Sequence, residues 1–598
     1  MNDMDDLNEL FEKDNPETAL PELQEAAQRD DTGAMLTLGG LFNGQGKSRL
    51  AEYWLTQAAY KGDAKSMRDL AGFLREQGRH QEAERWYTQA ATTGDTKAMF
   101  VLGNLANEQG RTGEAERWHL QAAENGHVPS MNNLGNLLNK GGKPREAEHW
   151  YLQAAHAGDV LAMHNLAMLL GSQDRLEEAE HWGFQAASDG HVPAMRTLAT
   201  LLQYQDKLSE AEHWYLQAAD NGDTSAMNRL AIVLEKQDRL QEAEHWYLQA
   251  ADNGSTPAMS NLGHLLKDQG RLEEAERWYL RATETHHPKA MHILGLFFKE
   301  QERSQEAEKW FTRAAEDGNT ESAYELGILY TRQDNTREAE RWYRQAAGEG
   351  HTYAMCNLGS LLDKQGNTEE AEAWYTQAAD NGDSLAMKNL GVLFKEQGNL
   401  QAAKAWFKRA FDNGNTGSAY ELGILYAKQD KTAEAERWYT KAAGKGNRSA
   451  MYNLACILER QEKLKEAENW YRQAADNGHK SAMYNLAILF QRQDRIQDAE
   501  SWYLRAAAKG HVYAMCNLGL MLKKQGRCGE AEHWYLQAAD NGDSMAMNNL
   551  GFLFKEQGDF RAAEAWFKRA ADNGYPKAVD NLNALRTERG SAESARSQ

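Results

Sequence analysis

The chain has 598 residues, with 67 Lys and Arg against 88 Asp and Glu, a formal net charge of −21 and a pI near 5.4. That balance disfavours a partner held mainly through phosphates, because such binders need basic surface to release counterions. No apolar run approaches a membrane span, and the acidic start Met1-Asn2-Asp3-Met4-Asp5-Asp6 lacks the regions of a signal peptide, so a soluble cytoplasmic protein without membrane contact is expected.

In chain order, residues 1–30 read as a degenerate amino-terminal capping unit. Leu7, Leu10 and Phe11 share one stripe there, Pro16 and Pro21 interrupt it, and Glu22 stands where the later pattern has tryptophan. From residue 31 to 574 a unit of 32 residues repeats seventeen times. All 17 tryptophans lie on its register, from Trp54 to Trp566 in unbroken steps of 32. A fixed period of that size means stacked supersecondary units whose core is buried repeat against repeat. Residues 575–588 read as a closing helix with Asp580 and Asn581 on its polar side, and 589–598 as a disordered tail.

Residues 223–254 serve as a specimen. Met227, Leu230, Ala231 and Leu234 are spaced i, i+3, i+4, i+7, which predicts helix A, capped by Asp223 or Thr224. After Lys236-Gln237-Asp238-Arg239 comes helix B, with Ala243, Trp246, Tyr247 and Ala250 on one face and Gly254 supplying the left-handed end. Pro129, Pro193, Pro257, Pro288 and Pro576 fall at A-helix starts and Pro144 at a B-helix start, where the missing amide costs little. Across the repeats the glycine after helix B fails once, at His286. The expected fold is an all-α solenoid, a superhelix of about 17 helix-turn-helix repeats. The indoles are expected to fill its core, each removing roughly 150–250 Å² from water, or about 4–6 kcal/mol at ~25 cal/mol per Å².

The A-helix pattern Ala354-Met355-Cys356-Asn357-Leu358-Gly359 resembles the tetratricopeptide and Sel1-like repeat superfamily, and the B-helix pattern from Ala211 to Gly222 resembles its Sel1-like branch. The short turn between A and B departs from that branch towards the tetratricopeptide form. The resemblance covers about residues 31–588 and implies an adaptor that binds proteins; anything finer has to come from the site. Residues 351–414 also recur at 511–574, a block copy of two repeats.

Catalytic and metal chemistry find little support in the pattern. Gly44-Gln45-Gly46-Lys47-Ser48 looks like a phosphate loop, but Gly40 is one residue too far upstream and no strand precedes it, so it reads as an A-to-B turn. His149, His181, His213, His245 and His533 recur one per repeat, and helices packed about 8–10 Å apart hold them too far apart to share an ion. His286, His287 and His292 are closer but lack a fourth ligand. Cys356, Cys456, Cys516 and Cys528 have neither metal nor disulfide-framework spacing, which suits a reducing compartment. The Glu-Ala-Glu triplets, such as Glu242 and Glu244, read as a solvated face complementing the dipole of helix B. The expectation is a non-enzyme without cofactor or metal.

One position stands out. Just before the A-helix leucine comes asparagine in ten repeats: Asn133, Asn165, Asn261, Asn357, Asn389, Asn453, Asn485, Asn517, Asn549 and Asn581. It lies opposite the apolar face, on what the family's fold makes the concave groove. A side-chain amide donates and accepts at once, so a row of them can hold a peptide backbone; repeats stacked at about 10 Å match three residues of extended chain at roughly 3.3 Å each. The row resembles the asparagine ladder of superhelical tetratricopeptide arrays. The alternative is a set of hydrogen bonds to the neighbouring helix. Asp69, Val101, Thr197, Arg229, Ile293, Glu325 and Glu421 break the row, and its longest run, Asn453 to Asn581, points to the carboxy-terminal third. The preceding residue varies freely, as Arg68, Phe100, His164, Lys388, Cys516, Tyr420, Tyr452 and Tyr484, in the manner of a specificity position. The peptide-binding candidates are Asn357, Asn389, Asn453, Asn485, Asn517 and Asn549 with Tyr420, Tyr452 and Tyr484, and Ile488 and Phe552 add apolar sockets.

The leading expectation is therefore a scaffold holding an extended partner segment in the groove, a basic one to suit the acidic chain. A structural spacer or self-associating scaffold is the alternative, and an RNA-reading array is disfavoured by charge.

Overall fold

The computed structural model describes residues 20–596, with side chains to 589. Leu7, Leu10, Phe11 and Pro16 of the expected capping stripe lie outside the described residues. Those residues form 36 α-helices and no strand, in an all-α solenoid of consecutive helix pairs. The chain divides into two compact units, one ending at Phe297 and the other beginning at Phe298.

The specimen repeat forms helices Thr224–Lys236 and Leu240–Asp252. The Ala226 amide donates to Asp223 Oδ1 at 2.8 Å, capping helix A. At its far end the Arg239 amide reaches back to the Leu234 carbonyl at 2.9 Å, and Asp238 between them takes φ 62°. That is the left-handed closure which lets the chain reverse in so short a turn. Gly254 closes helix B in the same way at φ 85°. Where His286 replaces the glycine it still adopts φ 52°, and helix B there is shortened to Leu272–Thr283.

The core differs from the sequence expectation. Only Trp182, Trp342 and Trp502 are buried; the remaining indoles are half-buried between consecutive B helices. The plug is the residue that follows: Tyr151, Tyr215, Tyr247, Tyr279, Tyr471, Tyr503 and Tyr535, with Phe311, Phe407 and Phe567, are all fully buried. An A-helix glycine often faces this ring so closely that a Cβ on Gly391 would lie 2.6 Å from Phe407. The physical reason is direction: Tyr247 points at helix A of its own repeat, whereas Trp246, one position round helix B, points towards the neighbouring B helix.

At the amino end, helix Leu20–Gln28 buries Leu23 in the plug position and leaves Glu22 exposed. At the other end Pro576 lies in a turn, and the closing helix runs Ala578–Arg596, past the expected boundary at 588; its Ala, Glu and Arg residues favour helix. Within each unit consecutive A helices touch one another, as do Val160–Ser172 with Val192–Tyr204 and Val512–Lys524 with Ser544–Glu556. The A side is therefore the inner side of the stack.

Candidate interaction surface

Each A helix turns one stripe away from its core. In helix Lys480–Arg492 it carries Ser481, Asn485, Ile488 and Arg492, at i, i+4, i+7 and i+11. The candidate residues Asn357, Asn389, Asn453, Asn485, Asn517 and Asn549 are all half-buried along this side, as are Tyr420, Tyr452 and Tyr484.

Their amide nitrogens are committed within the fold. Asn517 donates to the Tyr484 hydroxyl of the preceding repeat at 3.2 Å. Asn485 donates to Tyr452 at 3.4 Å and Tyr471 at 3.3 Å, and Asn357 to Tyr343 at 3.5 Å. Asn389 and Asn549 reach Cys356 and Cys516 sulfurs at 3.9 and 3.7 Å, and Asn453 lies beside the Tyr439 hydroxyl. The side-chain carbonyl oxygens of these six accept no bond from the chain among the described residues, so acceptors, not donors, face outward. Burial pushes Tyr452 up to about 12, so its hydroxyl stays protonated.

In several repeats the residue before the asparagine is matched to the cap of the next A helix, whereas Tyr420 packs on Tyr439 of its own repeat. Arg196 pairs with Asp223 at 2.5 Å, and Arg68 pairs with Asp95. Tyr324, Tyr452 and Tyr484 stack on His351, His479 and His511 at 4.4–4.6 Å, and His164 packs on His191 at 5.1 Å. Each of those capping imidazoles also accepts the amide three residues on, as His479 does from Ala482 at 3.2 Å. The sequence carried the signal as paired substitutions 27 residues apart, from Arg68 and Asp95 onward.

The Glu-Ala-Glu triplets likewise do more than complement a dipole. Arg239 donates both to Glu242 of its own helix at 2.8 Å and to Glu212 of the preceding repeat at 2.6 Å, and those bonds hold it above the usual guanidinium range. Arg271 and Arg527 repeat the pattern. His149, His213 and His245 sit exposed on helix B, each against its own tryptophan and the glutamine four residues on.

Beside the asparagines the carboxy-terminal unit carries a row of apolar residues, Ile328, Val392, Ile424, Ile488, Leu520 and Phe552, interrupted by Ser360 and Cys456. All are half-buried except Leu520, which is exposed. The corresponding places in the amino-terminal unit are Gly40, Gly72, Asn104, Asn136, Thr200 and His264, with apolar residues only at Met168, Ile232 and Leu296. A cleft of about 310 Å³ lined by Lys299, Glu325, Ile328 and Arg332 opens at the start of the row.

Tetratricopeptide repeat models match residues 196–256, 324–386, 356–419, 420–480 and 452–514, and, in a second form, 64–93, 130–156, 160–186, 258–287, 512–540 and 544–572. The Sel1 repeat model matches 33–63, 96–127 and 288–319. The chain belongs to the tetratricopeptide and Sel1-like repeat family. Repeats of this kind build scaffold folds that commonly mediate protein–protein interaction. Among solved structures it is similar to a protective antigen of uropathogenic Escherichia coli displaying an SLR fold, at 24% identity and TM-score 0.41, covering 68% of this chain and 97% of that one. It is also similar to a Sel1 repeat protein from Oxalobacter formigenes, at 25% identity and TM-score 0.38, covering 47% and 90% respectively. No curated protein sequence matches the chain. Among the described residues no helix is long and apolar enough to cross a membrane.

Proposed function

We propose that the chain is a non-catalytic cytoplasmic adaptor that binds an extended segment of a partner protein along the A-helix stripe of its carboxy-terminal unit. The observation that carries this reading is the half-exposed apolar row from Ile328 to Phe552, broken at Ser360 and Cys456, lying beside outward-facing amide oxygens in every repeat except those of Glu325 and Glu421. Apolar sockets supply affinity by area, and the acceptors can take backbone N–H groups without reading side chains. Asn357, Asn389, Asn453, Asn485, Asn517 and Asn549 contribute those acceptors, and Tyr420, Tyr452 and Tyr484 wall the groove. Four cysteines, none in a disulfide, fit the reducing compartment. The net charge of −21 favours basic partners at long range, while the local surface decides what docks.

The test is affinity purification of full-length chain from its native host, with cross-links mapping the segment held. The I488S/L520S double variant should retain its helical content and bind that segment at least about tenfold more weakly. Unchanged capture by the folded variant would remove the groove from the function.

A further inference from the structure

We infer that the segment taken by this groove is acidic as well as apolar, the reverse of what the chain's net charge suggests. The inference rests on the groove reading above and specifies its ligand. At the carboxy-terminal end of the same stripe stand Arg332, Lys364, Lys428, Arg460, Arg492 and Lys524, one per repeat from 319 to 542, with Glu396 the single interruption. All six are exposed. Arg492 pairs with Glu459 at 3.2 Å; the other five make no ion pair among the described residues.

A cation in the last turn of a helix complements its dipole, but that alone does not produce the row. The corresponding places of the amino-terminal unit hold a cation only at Lys140 and Lys236, and otherwise Gly44, Glu76, Glu108, Ser172, Tyr204 and Asp268. Four of the six are followed two residues later by an acid, Asp334, Asp430, Glu462 or Asp494. Those acids sit in the left-handed turn beyond the helix end, off the stripe, and form no ion pair with the row. Four A helices thus offer an incoming chain both an apolar residue at i+7 and a cation at i+11, Ile328 with Arg332, Ile424 with Lys428, Ile488 with Arg492 and Leu520 with Lys524, while Lys364 and Arg460 follow Ser360 and Cys456, and Phe552 is followed by Glu556. An extended peptide advances about three residues per repeat, so carboxylates at that interval can meet successive cations while apolar side chains fill the neighbouring sockets. Single-stranded nucleic acid fits less well: its bases call for aromatic platforms, and the adjoining row is mainly aliphatic.

The test is selection of random peptides of about 16 residues, displayed on phage, against the immobilised full-length chain, followed by anisotropy of the selected peptides and of a single-stranded oligouridylate. Peptides enriched in Asp and Glu beside aliphatic residues are expected. They should bind the R460E/R492E/K524E variant at least about tenfold more weakly, and the neutral R460Q/R492Q/K524Q variant by a smaller factor. A matched control on exposed B-helix positions, R145E/R337E/R561E, should bind as wild type. Peptides rich in Lys and Arg, or without charge bias, overturn the inference, as does equal weakening by the control, which reads net charge alone. Tighter binding of the oligouridylate, lost in the groove variant, overturns it in favour of nucleic acid. Peptides that lose affinity in I488S/L520S but not in R460E/R492E/K524E leave the groove reading standing and remove the acidic preference. No enrichment at all removes both.

Discussion

In the amino-terminal unit consecutive A helices are tied amide to amide, Asn165 to Asn132 at 2.8 Å and Asn261 to Asn228 at 3.0 Å. In the carboxy-terminal unit the same position meets Tyr452, Tyr484, Cys356 or Cys516, and an amide pair returns at Asn581 and Asn548. The B-helix bridges differ too. Arg79, Arg175, Arg239 and Arg271 each span two repeats in the first unit, whereas Asn335, Asn367 and Asn399 stand at that place in the second until Lys463 pairs with Glu436 at 3.8 Å and Arg495 and Arg527 restore the two-sided bridge. One backbone frame therefore accepts several inter-repeat chemistries. What holds nearly constant is the aromatic plug against a small A-helix residue, replaced only by Leu55 and Gly183, and what is free to differ is everything facing outward.

If that division is right, the largest effects belong to the plug and are equal in the two units. Tyr247 and Tyr471 are both fully buried, and each donates its hydroxyl to a glutamate at 2.8 Å, Glu235 and Glu459. Tyr247→Ala and Tyr471→Ala should each cost about 3–5 kcal/mol of local stability, while Trp246→Ala and Trp470→Ala, at half-buried positions, should cost less. Repeat arrays unfold in segments, so the measurement is amide hydrogen exchange of the flanking helices, not a single melting curve. A tryptophan deletion as damaging as its tyrosine neighbour would return the core to the indoles.

The next effect separates repeats by their caps. His479 and His511 must be neutral at Nδ1 to accept the Ala482 and Ala514 amides, and burial first, then Arg448 or Lys480, holds both below the usual imidazole value. A folded value below the unfolded one of about 6.5 means that the unfolded chain binds the proton more readily. The caps' contribution is therefore present above about pH 6.5 and is lost as the pH falls through the folded value. Helices Lys480–Arg492 and Val512–Lys524 should lose about 1 kcal/mol of protection on acidification. Helix Ser384–Glu396, capped by Asp383, has no capping imidazole to protonate and is the internal control. Equal losses at all three in exchange measured at pH 7 and pH 5 would show that the histidine caps are not the cause.

Much of this was legible in the sequence. Period, helix boundaries and both turns follow from the register of Trp54 to Trp566 and from residues such as Asp223 and Gly254, because local rules govern them. The indoles misled because size and regularity do not reveal direction: Tyr247 and Trp246 are equally periodic, and only the packing angle of helix B decides which enters the core. The asparagine row was found, but its bonds to Tyr484 or Cys356 join residues 33 positions apart, which no single-repeat pattern displays. The cation row from Arg332 to Lys524 was in plain view and was masked by the net charge of −21, a sum that says nothing about where the charges stand.

The smallest effect concerns the B-helix bridges, where the two units differ most visibly. Arg239 is exposed to more than a third of its side-chain area, as is the Glu242 partner, while Glu212 is less so. Charges so placed are well screened and hold long side chains in one geometry at an entropic cost. Arg239→Gln should therefore lower the melting midpoint by no more than about 1–2 °C at low salt, and the difference should vanish near 1 M salt, where the screening length is about 3 Å. Asn367→Gln, at the bridge-free place in the second unit, should change nothing at either salt concentration. A shift of several degrees for Arg239→Gln that persists in high salt would mean that the bridges carry the stacking of the first unit, and that the two units are held together by different physics and not merely decorated differently.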